Sequence, residues 1–390
     1  MRLFVFLFFA SLLIGCEGRD TREKNGEVRL DFSLDTVMVD PGQEILFLNS
    51  GLNQAQLSPD KKYLYNFNPT DFSIEKINLD ELKFEDKINL SKEGPNGVGQ
   101  YVMGFLLVDE TSILFRSYNQ DNFLDWDGNK KRQFDFKKVG AEAERIVDGE
   151  HLFMPVIQPG QPQVFFGLVS NWEQKTTALA VFDLGKDHFK RIDVPLFEKT
   201  SAFKIEFNDG QMGYVMGTSE YVKCEGGKVI LGAEVSSDLY VYDPLTGVLD
   251  QRAFESELTA NEKKGNHPGK VSDRKEMEGI YRRIHEEIGF HAVHWDEKNE
   301  LYYRFSSMAE FSDTAETPEN RMVPSPTGAK VYLTVFDKDL NQIAESRVPM
   351  LTNKPAYHFA KDGKIWIFEN MEDEMGFVRL SISDLPNRKS

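Results

Sequence analysis

The sequence predicts an all-β protein, a ring of similar four-stranded sheets in the form of a six-bladed β-propeller. Three observations carry this. One turn chemistry returns six times between strand-like runs. An aromatic residue followed by aspartate returns one strand further on. The last unit stops one strand short, while strand-like segments without a unit of their own precede the first turn. Irregularly spaced repeats of this kind mark sheets that cannot bury both faces alone and therefore stack around an axis. Seven blades is the alternative count, but the six visible inner hairpins favour six.

The turns are Ser58-Pro59-Asp60-Lys61-Lys62, Asp109-Glu110-Thr111, Asp148-Gly149-Glu150, Glu225-Gly226-Gly227-Lys228, Asp296-Glu297-Lys298-Asn299 and Lys361-Asp362-Gly363-Lys364. Each is followed by an apolar run, from Tyr63-Leu64-Tyr65 in the first unit to Ile365-Trp366-Ile367 in the last. Asp-Gly and its relatives accept the positive φ angles of a tight hairpin. After the last turn Ile365, Ile367 and Glu369 alternate with Trp366 and Phe368, the period of a strand with two faces.

The second marker is Trp126-Asp127, Phe182-Asp183, Tyr242-Asp243 and Phe336-Asp337, with Ile77-Asn78-Leu79-Asp80 in that place in the first unit. It closes a third strand and opens the turn to a fourth. The last unit has strands expected near residues 356–360, 365–369 and 377–382. An N-terminal strand, at 36–39 or 44–48, is expected to supply its missing outer strand. That pairing closes the ring and removes two open sheet edges.

Two insertions interrupt the pattern. Residues 255–289 are highly charged and contain one expected helix. Ser272 would cap it, Met277, Ile280, Tyr281, Ile284 and Ile288 would share one face, and Gly289 would end it. This insertion joins the outer strand of one blade to the inner strand of the next, at the end of a propeller where ligands enter. Residues 306–329, with Pro318, Pro324 and Pro326, read as a loop between the second and third strands of the fifth blade. That loop is expected on the opposite type of connection.

The chain of 390 residues, 40% hydrophobic and 12% aromatic, has ample material for a large core. Its 46 basic and 63 acidic residues leave a net charge of −17. So acidic a surface excludes nucleic acid as a partner, because phosphate binding needs a basic face. It equally disfavours docking of the folded surface on an anionic membrane.

The division expected is a signal peptide at 1–15, a flexible tether at 16–27 and the propeller at 28–390. Arg2 is followed by the apolar run Leu3 to Ile14, shorter than the ~20 residues of a spanning helix. Leu13-Ile14-Gly15-Cys16 resembles the lipobox of bacterial lipoproteins. That resemblance implies cleavage before Cys16, diacylglycerol on its thiol and a further acyl chain, such as palmitate, on its amino group. More than one acyl chain would hold the protein stably on a membrane. Glu17 stands where lipoproteins kept at the inner membrane of enteric bacteria carry aspartate, so the outer membrane is favoured, on either leaflet. Glu17 to Glu27 is polar and without periodicity, as a tether should be. Cys224 is the only other cysteine, so no disulfide is expected, and in Tyr221-Val222-Lys223-Cys224 it reads as an inert thiol in a strand.

Candidate sites are few. Glu93-Gly94-Pro95-Asn96-Gly97-Val98-Gly99 lacks the helix and Lys-Ser/Thr of a phosphate cradle and reads as a blade-to-blade connection. His285, His291 and His294 invite a metal, but His291 and His294 are three apart in a strand, which sends them to opposite faces. One of the two, His294, is then left near the channel. Asp121, Asp125 and Asp127-Gly128-Asn129 read as a hairpin turn, because Phe123 and Phe134 occupy the first and twelfth places of a calcium loop. Arg116 and Arg304 end apolar runs on second strands and could hold an anionic group in the channel, or form salt bridges between blades. Arg116, Arg304 and His294 are therefore the ligand-binding candidates. No catalytic, metal or cofactor residue is assigned, since no nucleophile–base order or paired carboxylates stand out.

Several stretches together resemble one family: the lipobox, Leu57-Ser58-Pro59-Asp60, Glu93-Gly94-Pro95-Asn96-Gly97, Trp295-Asp296-Glu297 with Tyr302-Tyr303-Arg304-Phe305, and Phe368-Glu369-Asn370 with Phe377-Val378-Arg379-Leu380. It is an uncharacterised family of bacterial lipoproteins with a six-bladed propeller-like domain, a domain of unknown function. The resemblance covers nearly all of the mature chain. It implies the fold and an envelope location, and brings no catalytic residues. The expected function is a non-enzymatic, lipid-anchored protein that binds a protein or small-molecule ligand at the cell envelope. The alternatives are a lyase or hydrolase acting on a glycan or lactone in the axial channel, and a structural envelope component.

Overall fold

The protein is described by a computed structural model over residues 30–118, 120–313, 317–318 and 320–385. The expected signal peptide, Cys16 and tether lie outside the described residues. β1 (Asp31–Met38) comes first in the chain. The first sheet is β2 (Ala55–Leu57), β3 (Tyr63–Asn68), β4 (Ser73–Asn78) and β5 (Lys83–Asn89). The second is β6 (Val102–Asp109), β7 (Ser112–Ser117), β8 (Gln120–Leu124) and β9 (Lys130–Phe134). The third is β10 (Glu150–Gln158), β11 (Gln161–Asn171), β12 (Thr176–Asp183) and β13 (His188–Asp193).

Helix α1 (Pro195–Ser201) and strands β14 (Ile205–Asn208) and β15 (Gly213–Met216) follow. The fourth sheet is β16 (Glu220–Glu225), β17 (Lys228–Ala233), β18 (Ser236–Tyr242) and β19 (Leu249–Arg252). After β20 (Lys270–Val271) and helix α2 (Arg274–Glu286) comes the fifth, β21 (Gly289–Asp296), β22 (Leu301–Glu310), β23 (Gly328–Phe336) and β24 (Gln342–Arg347). The sixth joins β25 (His358–Lys361), β26 (Lys364–Met371) and β27 (Glu374–Ser383) to β1. Among the described residues this makes six four-stranded sheets, and one three-stranded sheet of order β15-β14-β20.

Each four-stranded sheet is an antiparallel meander with a gradient of polarity. Second strands such as β3 and β17 are buried on both faces, while fourth strands such as β5 and β9 carry lysines and acids into solvent. First strands touch their successors in order, β2 with β6, β6 with β10, β10 with β16, β16 with β21 and β21 with β25. Apolar clusters fill the spaces between consecutive sheets. Phe67 meets Phe115 between the first and second, and Leu114 shares a cluster with Phe165 between the second and third. Val293 joins Ile230 between the fourth and fifth, and Phe377 joins Leu64 between the sixth and first. Sheets stacked face to face around an axis, with the last touching the first, make a β-propeller.

Closure depends on β1. It pairs antiparallel with β27 from Asp31 opposite Ser383 to Met38 opposite Gly376. Asp35 is clasped by Arg379 and Lys364 at 2.7 and 2.8 Å, and these two cations hold its carboxyl down at about 2. The expected strand at 36–39 thus begins earlier and ends at Met38, and residues 44–48 form no strand. Lys361 Nζ, 2.7 Å from Asp80, ties the sixth sheet to the first.

Three further expectations are corrected. Asp148-Gly149 does not separate the first two strands of its unit. It precedes β10, and the hairpin turn is at Pro159-Gly160, where Gly160 adopts φ 74°. Helix α2 is capped by Asp273, whose side chain accepts from Glu276 N at 2.8 Å, and it ends at Glu286, so Ser272 lies outside it and Gly289 opens β21 instead. The single helix expected is joined by the short α1, which Pro195 starts.

The loop between β22 and β23 also lies at the same end as α2, not the opposite one. Arg274 donates to the carbonyl of Pro318 at 3.0 Å, and Arg282 to that of Ser312 at 3.0 Å. Antiparallel alternation explains this: the chain leaves a second strand and a fourth strand at the same end of the sheet. At that end, Met277, Ile280 and Ile284 of α2 share one apolar cluster with Ile205, Phe207 and Val271 of the small sheet.

Candidate functional site

The first strands of the fourth, fifth and sixth sheets bring together a column of imidazoles and lysines. It begins with a bulge in β21. Phe290 lies opposite Ser306 and Val293 opposite Arg304, three steps against two. The extra residue resets the alternation of side chains. His291 and His294, expected on opposite faces, therefore both lie against His358 of β25, with ring centres 6.0 and 4.6 Å away.

His291 Nε2 is 3.0 Å from the Ser307 hydroxyl. His358 Nδ1 is 2.7 Å from the carbonyl of Ala356. A carbonyl only accepts, so Nδ1 carries the proton and Nε2 is left as an acceptor. That Nε2 is buried with no partner.

Below His294 the column continues into β16. Glu225 Oε1 stands 3.7 Å from His294 Nδ1, and Glu225 Oε2 accepts the backbone N–H of Trp295 at 3.1 Å. Lys223 Nζ is 4.0 Å from Glu225. Lys61 reaches across from the first sheet and donates to the carbonyl of Trp295 at 2.5 Å, with Glu297 3.1 Å away. Above His291 the column meets α2. Glu234, 7% exposed, lies 3.5 Å from Lys263 Nζ and 3.8 Å from His285 Nδ1. Lys263 in turn donates to the carbonyl of Ile284 at 2.6 Å, at the end of α2.

The electrostatics follow from burial and from the company of cations. Burial, then Lys223 and its neighbours, push His294 well below the usual imidazole range, and Glu225 does not reverse this. His291 is lowered by burial and by Lys354 and His358. His358 falls to about 4, mainly through burial and despite its bond to Ala356. His285 also falls to about 4, burial outweighing Glu234. Burial likewise lowers the Lys223 ammonium, with Glu225 opposing. Burial alone would raise Glu234, but Lys263, Lys354 and His285 hold it down. Three neutral imidazoles thus stand together, with Lys61, Lys223 and Lys263 and the carboxylates Glu225, Glu234 and Glu297 around them. Among the described residues, no group of three or more His, Cys, Asp or Glu is arranged to hold a metal ion.

The three sequence candidates do not converge. Arg116 pairs with Asp121 in the neighbouring strand of its own sheet, Nε to Oδ1 at 2.9 Å, and lies over Phe136. Arg304 is 2% exposed and turns toward the fourth sheet, where it donates to the carbonyl of Ser237 at 2.6 Å. His294 is in the column. Lys61, Lys223, Glu225 and His358 were missed, although each precedes or sits in one of the repeated turns, where a first strand runs beside the axis. Cys224 is an inert thiol as read, pushed up to about 12 by burial and by Glu225.

No curated protein matches the chain. Solved structures share its fold, and two of them match over most of both chains. One is a member of the DUF4221 family from Bacteroides vulgatus, 18% identical with a TM-score of 0.64, covering 92% of this chain and 99% of that one. The other, from Bacteroides fragilis, is described as an exported protein and is 11% identical with a TM-score of 0.51, covering 90% of this chain and 96% of that one. The family model for DUF4221, a domain of unknown function, matches residues 27–347. With most of its length so matched, the chain belongs to the DUF4221 family.

Proposed function

We propose that this protein is a lipid-anchored, six-bladed propeller of the cell envelope that binds a small anionic, hydroxylated ligand in its axial column. One observation carries the reading: His294 is buried and His291 and His358 are half-buried beside lysines, and the buried Nε2 atom of His358 has no partner. Lys61 and Lys223 each have a single carboxylate neighbour, Glu297 at 3.1 Å and Glu225 at 4.0 Å, and an entering anion would add a second. A ligand hydroxyl would donate to His358 Nε2, while Lys223 and Lys61 would face the acidic group. Six blades are supported by the six four-stranded sheets with apolar clusters between neighbours. The anchor at Cys16 and an outer-membrane location rest on the lipobox-like Leu13-Ile14-Gly15-Cys16.

Native mass spectrometry of the protein released from envelopes in mild detergent tests both parts. The expected result is a retained small anion, absent from Lys223→Met and His294→Phe, and an N-terminal Cys16 carrying acyl chains. An empty wild type, or variants that keep the same molecule, would contradict the binding site, and an unmodified Cys16 would contradict the anchor.

A second reading is favoured by the pairing of Glu225 with a neutral His294. A lyase or hydrolase for a glycan or lactone needs a base, and since the lowered imidazole is a weak one, that role would fall to the Glu225 carboxylate, with His294 3.7 Å away to orient it. Turnover of the retained molecule, lost in His294→Phe, would select that reading over simple binding.

A further inference from the structure

The imidazoles and lysines come from the fourth, fifth, sixth and first sheets, and the first strands of the second and third, β6 and β10, complete the ring around the axis. Side chains of a first strand pack alternately against the two neighbouring sheets. In β6, Phe105 and Leu107 join the cluster shared with the first sheet, and Leu106 and Val108 the one shared with the third. Val102 also joins the first-sheet cluster, although it lies an odd number of residues from Phe105. In β10, Leu152 and Ile157 share the cluster with the second sheet, again an odd number apart, and Val156 turns to the fourth. A bulge in each strand absorbs the extra residue, between Val102 and Gly104 and between Phe153 and Val156.

Met103 and Met154 sit in these two bulges, 45% and 55% exposed. So much exposure excludes packing between sheets, and one edge of each strand is already paired with a second strand. The edge left for both side chains faces the axis. Met154 reaches this position with φ 46°, a left-handed conformation costly for a methionine. Val156 shares a cluster with Val222 and Cys224 of β16, so Met154 stands close to the level of Lys223, which lies between those two and points the other way. In β21 a bulge likewise turns His291 and His294 toward His358. Bulges in three first strands thus aim two methionines at the axis from one side and two imidazoles from the other.

We propose that Met103 and Met154 form an apolar wall of the axial site, and that its ligand is an amphipathic hydroxy acid whose hydrocarbon chain lies on that wall. This rests on the axial site proposed above and narrows the class of molecule it takes. The thioether side chains are unbranched and polarisable and mould themselves to a flexible chain. Hydrocarbon displaces water from their exposed surface. The hydroxyl is left for His358 Nε2 and the acidic group for Lys223.

The probes are 3-hydroxybutyrate and 3-hydroxyoctanoate, titrated calorimetrically into the full mature chain. A fully buried methylene is worth about fourfold in affinity, so the longer, partly covered chain should bind at least about tenfold more tightly. Met154→Asn keeps the left-handed backbone and should remove most of that preference while leaving the butyrate unchanged. Met103→Gln, of similar length, should reduce it independently. His294→Phe should weaken both acids alike. Equal affinities for the two acids, both lost in His294→Phe, overturn the apolar wall and leave the axial site standing. A chain-length preference that survives both methionine variants overturns the wall as well. Binding of the octanoate untouched by His294→Phe removes the axial site, and the shared ligand with it. Failure of the octanoate to bind overturns the proposal, while a small anion retained in native mass spectrometry would still uphold the axial site.

Discussion

Glu75 in the first sheet is buried and His358 in the sixth is half-buried; both are ionisable, and the fold treats them in opposite ways. Glu75 is 2% exposed, and every bond it needs is present. Its Oε1 accepts from Phe47 N at 3.0 Å and from Asn68 at 2.8 Å, and its Oε2 from Asn66 at 2.8 Å. Burial raises its pKa while these bonds restrain the rise. Those donors come from β3 and from the segment after β1, so the carboxylate fixes the start of the ring. His358 has one bond and a bare Nε2, and lysines stand around it. The satisfied Glu75 serves the fold, whereas the bare Nε2 of His358, set among charged neighbours, is open to a further partner.

Three changes would break or sharpen that contrast. The largest effect is expected from Glu75→Ala, which strands three buried donors. Each costs ~1–3 kcal/mol, so urea unfolding should show a loss of at least about 3 kcal/mol, with the axial site unaffected. A loss below ~1 kcal/mol would mean that water replaces the carboxylate and the contrast fails.

The second concerns pH. His285 and His358 have folded pKa values near 4 against an ordinary 6.5. The unfolded chain therefore binds more protons in that window, and stability falls as the pH drops from 6.5 toward 4. Each such histidine contributes a slope approaching ~1.4 kcal/mol per pH unit. His358→Phe should flatten the curve by about that amount per unit over the same window. An unchanged slope would show that His358 already titrates normally.

The smallest effect is expected from Lys223→Met. It removes a cation with one distant carboxylate partner, so stability should change by less than ~1 kcal/mol, in either direction. Retention of the axial ligand should nevertheless be lost. A large destabilisation would make Lys223 a structural partner of Glu225, and the column would then resemble the Glu75 site.

The repeated turns made the ring legible because hairpin chemistry is local and survives in the residue string. The third unit was misplaced since Asp148-Gly149 and Pro159-Gly160 carry equal turn chemistry, and β10 between them is broken by a bulge at Phe153–Val156. α1 was missed because its seven residues carry little periodicity beyond Pro195. The axial site was less legible. Alternation along β21 sends His291 and His294 apart, and only the bulge, a property of pairing with β22, reunites them. Arg116 and Asp121 stand opposite one another across a hairpin, a pairing the sequence permits but does not require.

The most direct measurement is an NMR titration of the histidine side chains in the folded, ligand-free protein. The account predicts that His358 titrates at about 4, with His291 and His294 also well below 6.5. Midpoints near 6.5 for these three would show an axial column open to water, already at rest and with no need of an anion.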